Sequence, residues 1–78
     1  MPKDRKFGEV TLEDPHTVEA DEPVFVFRAR DLMILAVLRE YRRLCELAGS
    51  PVNHLNAITD AMIAIDEWQK IHGTKVPD

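Results

Sequence analysis

Two helix-forming stretches, residues 32–48 and 51–71, are separated only by Gly49 and Ser50, and this break constrains the fold more than any other feature. The first stretch contains no Gly or Pro and is rich in Leu, Ala, Arg and Glu, all good helix formers. Gly49 is placed to end it, because glycine adopts the left-handed conformation at a helix C-terminus without a Cβ clash. Ser50 and Pro51 read as the N-cap and first helical position of the second stretch. So short a link joins antiparallel neighbours, which predicts a helical hairpin. Asp31 reads as the N-cap of the first helix, and Gly73 as the terminator of the second. Pro77 keeps residues 74–78 extended, as a tail.

Upstream, residues 1–22 form a polar segment with a weak strand signal at Val10 and Leu12. Pro23 punctuates the chain, and Val24-Phe25-Val26-Phe27 follows. This β-branched and aromatic run predicts a strand over 24–27 with two apolar faces, both needing cover. The expected fold class is therefore α+β: a short N-terminal strand or hairpin, then an antiparallel two-helix hairpin. Residues 23–73 form the single domain.

The helices carry more apolar surface than one hairpin can bury. In the second, Leu55, Ile58, Met62 and Ile65 make one stripe, and Ala57, Ala61, Ala64 and Trp68 make another beside it. The first is apolar all round from Leu32 to Leu38 and one-sided later, at Tyr41, Leu44, Cys45 and Leu47. A chain of 78 residues buries only about 60% of its unfolded surface and is marginal alone. The excess predicts a homodimer or larger assembly, with Leu32, Ile34, Leu35 or Leu38 at the contact.

Composition narrows the function classes. Ten basic against fourteen acidic residues give a net charge of −4, which argues against nucleic-acid binding and against anionic membranes. The longest apolar run, Leu32 to Leu38, is far short of the ~20 residues that span a bilayer. Met1 to Lys6 lead into no apolar core, so a signal peptide is not expected. The single cysteine, Cys45, allows no intrachain disulfide and reads as a buried small hydrophobe. His16, His54 and His72 lack ligand spacing, so no metal and no cofactor is expected. No nucleophile–base set or carboxylate pair stands out, and the chain reads as a non-enzyme.

The candidate binding residues are Arg28, Arg30, Trp68 and Tyr41. Arg28 and Arg30 lie where strand gives way to helix, a place where backbone N–H groups and the dipole favour an anion. Asp31 is the competing occupant there, and Arg28 is equally suited to clamping Asp31 or Glu67. Trp68 and Tyr41 are each suited to stacking a base or to closing the core. Arg39, Arg42 and Arg43 share one helix face, as an anion patch or as a solvated face with Arg42 paired to Glu46. Asn53, His54 and Asn56 form a polar cluster at the start of the second helix.

The segment from Glu22 to Asp31, EPVFVFRARD, resembles a pattern in uncharacterised short proteins of tailed bacteriophages. In that group an EPVFVLRAxD-like stretch precedes a helical hairpin, with a Trp-Gln pair near its end and a Lys-x-Pro-Asp-like tail. Trp68-Gln69 and Lys75 to Asp78 match these, so the resemblance covers residues 22–78. This chain departs from the pattern at Arg30. The resemblance implies a phage origin, a host-cytoplasmic location and a hairpin fold, but no activity. By analogy with small acidic phage proteins, two functions are expected. The first is an anti-defence protein whose oligomer sequesters a small anionic ligand, such as a nucleotide signal, with Arg28 and Arg30 on phosphate and Trp68 or Tyr41 on the base. The second is an acidic inhibitor that binds a host protein; a minor structural phage component is a further alternative.

Overall fold

The computed structural model describes Lys3–Asp4, Gly8–Glu9 and residues 18–77. The element order is β1 (Lys3–Asp4), β2 (Gly8–Glu9), β3 (Pro23–Val24), α1 (Ile34–Leu47) and α2 (Val52–His72). The helices pack against each other as an antiparallel hairpin, and the chain is mostly helical. The weak strand signal at Val10 and Leu12 lies outside the described residues. Its α+β character rests on three strands of two residues each, in the order β2-β1-β3, with β1 antiparallel to β2 and parallel to β3.

The strand expected over 24–27 is shorter than its sequence suggests. Pairing covers Pro23 and Val24 and then stops. The Val26 N–H donates instead to the buried carboxylate of Asp4, at 2.5 Å, so a side chain takes the bond a neighbouring strand would need. Both faces of the run were expected to be covered. Phe25 and Phe27 are nevertheless 69% and 45% exposed, and their rings lean on each other with centroids 4.9 Å apart. At the backbone level the strands neighbour one another, and the helices neighbour each other.

The link between the helices is set by glycine. Gly49 has φ 83°; its N–H donates to the Glu46 carbonyl and the Ser50 N–H to the Cys45 carbonyl. Those two bonds form a Schellman cap, which reverses the chain within one residue of the helix end. Ser50 is therefore not the N-cap expected of it. Its amide is spent on α1, and Pro51, with ψ 149°, stands at the N-cap of α2. Open space surrounds the Gly49 Cα. Gly49→Ala should therefore cost about 1 kcal/mol through its backbone conformation alone; urea denaturation measures this, and an unchanged midpoint would show that the turn tolerates a Cβ.

The apolar core between the helices is small. Ile34, Cys45 and Ile58 are its buried members, and only Ile34, 2% exposed, is nearly sealed. Cys45 is free and buried, as a small hydrophobe would be. On one side of the seam the Arg42 Nε donates to the Thr59 hydroxyl at 2.8 Å, and the same guanidinium reaches Glu46 one turn on. Arg43 pairs with Glu40, whose carboxyl that hydrogen bond holds below its usual range. The arginine face is thus largely committed to helix-surface pairs, with Arg39 exposed beside it.

Candidate functional site

The junction between the extended segment and α1 is a knot of backbone bonds. The Asp31 N–H donates to the Arg28 carbonyl and the Ile34 N–H to the Asp31 carbonyl, which makes two successive tight turns. The Asp31 carboxylate accepts the Met33 N–H at 2.7 Å. α1 starts at Ile34 rather than Leu32, with Met33 and not Asp31 at the N-cap, because the Met33 carbonyl is the first to accept an i+4 bond, from the Val37 N–H at 3.0 Å.

The C-terminal segment closes this knot. Gly73, with φ 79°, turns the chain out of α2. Lys75 then lies parallel to Asp31: its N–H donates to the Arg30 carbonyl at 2.8 Å, and its carbonyl accepts the Leu32 N–H at 2.9 Å. Gln69 adds a tie from inside α2, its amide donating to the carbonyls of Ala29 and Asp31 at 2.8 and 3.2 Å.

The helix N-terminus that sequence marked as an anion site is filled in part by the chain itself. Leu32, Met33 and Ile34 have their N–H groups bonded internally, whereas the first-turn amides of Leu35 and Ala36 have no bonding partner among the described residues. What faces solvent at this end is side chains. Arg30 sits over the Trp68 indole with its guanidinium carbon 5.4 Å from the ring centroid, a cation–π distance. The His72 ring stacks on the same indole, with centroids 4.2 Å apart and 18° between planes. Its Nδ1 lies 3.1 Å from the Trp68 carbonyl. Trp68 is half-buried, with Arg30 and His72 against its ring.

Arg28 is exposed two residues before Arg30, and its guanidinium has no partner among the described residues. It clamps neither Asp31 nor Glu67, the structural roles that sequence offered it. Tyr41 is not part of this end. Its hydroxyl meets His54 Nε2 at 3.3 Å, with the rings edge to face. His54 precedes Trp68 by fourteen residues of continuous helix, about 21 Å at 1.5 Å rise per residue. Within one chain, therefore, Tyr41 and Trp68 do not flank a common ligand. The Cys45 thiol one turn on holds the Tyr41 phenol above its usual range.

Gln69 is the residue that sequence reading passed over. It continues the stripe of Leu55, Ile58, Met62 and Ile65 at the next helical step, so a polar side chain falls on the core-facing row. Such a residue must find partners, and here it finds two carbonyls.

Among the described residues, no group of three or more His, Cys, Asp or Glu side chains could hold a metal ion. No helix among them is long and apolar enough to cross a membrane. No protein-family model matches the sequence, and neither a curated protein nor a solved structure does.

Proposed function

We propose that this chain is a non-enzymatic accessory protein of phage origin. It acts in the host cytoplasm and sequesters a small anionic ligand of the nucleotide class at the Trp68 end of the hairpin. The observation that carries the reading is the exposed guanidinium of Arg28, without a partner among the described residues, two positions before the Arg30 that lies on the Trp68–His72 stack. A planar cation with free donors suits a phosphate, and a base that displaces His72 gains the Trp68 face to stack on. Recognition rests on Arg28 and Arg30. The phage origin and the location draw on the resemblance over residues 22–78.

A second reading, an acidic inhibitor of a host protein with no small ligand, is favoured by His72. That ring occupies the indole where a base would stack.

Trp68 is the only tryptophan, so its fluorescence reports on this end directly. Titration with mono-, di- and cyclic nucleotides, followed by fluorescence and calorimetry, is expected to give a signal with at least one of them. Arg28→Ala should weaken that binding by about tenfold to a hundredfold, the loss of one charge-assisted contact. Its melting temperature should match the wild type, since the guanidinium holds nothing in the fold. No response to any nucleotide would retire the ligand reading and leave the protein-binding one.

A further inference from the structure

The two contacts that cross the hairpin seam divide it into unlike sides. Arg42 meets Thr59 on one side, and that side carries Arg39 and Glu46 on α1 with Asp66 and Lys70 on α2, each at helical spacing from the bridging pair. Tyr41 meets His54 on the other. From Tyr41, the i−8, i−4 and i+3 positions are Met33, Val37 and Leu44, and they are 51%, 39% and 49% exposed, with Tyr41 itself at 48%. From His54, the i+3, i+7 and i+10 positions are Ala57, Ala61 and Ala64, all exposed. A ridge of large apolar side chains therefore runs along α1 beside a trough of alanines along α2, which Trp68, with Arg30 over its ring, closes at the far end.

We infer that this face is covered by a second copy of the same chain, in a two-fold dimer that lays the α1 ridge of each protomer into the α2 alanine trough of the other. Two observations argue for that occupant. The rows are complementary to each other, and a two-fold axis exchanges them, so one face supplies both halves of the contact. The protomer's own core is also thin: among the described residues the buried apolar side chains are Ile34, Cys45 and Ile58, whereas stable domains pack two layers around a core. The contact differs from the one expected at Leu32 to Leu38. Ile34 is buried inside the protomer and Leu35 and Leu38 are half-buried, while Leu32, 47% exposed, is the one of the four that stays open to a partner. The inference stands independently of the ligand reading.

Sedimentation equilibrium on the wild-type chain tests it, at about 100 μM, well above the micromolar Kd of the weaker interfaces of standard size. The wild type is expected to run as a dimer. Leu44→Glu and Ala61→Glu, both at exposed positions of the protomer, should each run as monomers with the helical circular-dichroism signal retained. Ile63→Glu, at an exposed position four residues beyond Thr59 on the charged side, should remain a dimer and controls for added charge. A wild-type monomer would overturn the inference and leave the face to a different partner. A dimer that survives Leu44→Glu and Ala61→Glu but dissociates with Ile63→Glu would overturn it equally, by placing the contact on the other side.

Discussion

Ile34→Ala should remove much of the fold's stability. Ile34 is the one large side chain that is nearly sealed from solvent, 2% exposed in a core that otherwise contributes only Cys45 and Ile58 as buried members. Truncating a buried isoleucine to alanine costs about 2–5 kcal/mol. A chain of 78 residues has only about 4–12 kcal/mol to lose. The melting temperature should fall by roughly 10–30 °C. Leu47→Ala, at an exposed position on the same helix, should melt close to the wild type. Both are compared at one protein concentration, because self-association raises apparent stability by mass action. Equal melting of Ile34→Ala and wild type would show that the seam between the helices does not hold the fold.

Gln69→Leu should loosen the junction before it loosens the hairpin. The substitution keeps a side chain of similar length but removes the amide that serves the Ala29 and Asp31 carbonyls. The Asp31 carbonyl keeps the Ile34 N–H, so the part-buried Ala29 carbonyl is the acceptor left without a donor; that costs about 1–2 kcal/mol, and the melting temperature should drop by roughly 5–15 °C. The effect has a local signature. The Leu32 and Lys75 amides, bonded across the Asp31–Lys75 bridge, should lose hydrogen-exchange protection while the middle of α2 keeps its own. Unchanged protection at Leu32 would show that the bridge stands without Gln69.

The helical hairpin was legible in the sequence because its determinants are local. Gly49 needs no tertiary partner to prefer a left-handed conformation, and Pro51 needs none to stop one helix and start another. The stripes of Leu55, Ile58, Met62 and Ile65 are likewise fixed by helical spacing alone. The excess of apolar surface could also be counted from residue types, though not the side on which it would fall.

Much of what is decided at the junction came from residues distant in the chain. The strand over 24–27 stops at Val24 because Asp4, twenty-two residues before Val26, takes its amide. At the entry to α1 the Met33 amide goes to Asp31, the local competitor that sequence named, but the Leu32 amide goes to Lys75, which only the folded chain brings there. Arg30 lies over Trp68, while Tyr41 sits far along the hairpin, because antiparallel packing sets His54 and not Trp68 opposite Tyr41. Local propensity names which groups need partners. The tertiary structure chooses among the partners within reach, because a hydrogen bond forms with whichever donor or acceptor the folded chain delivers to it.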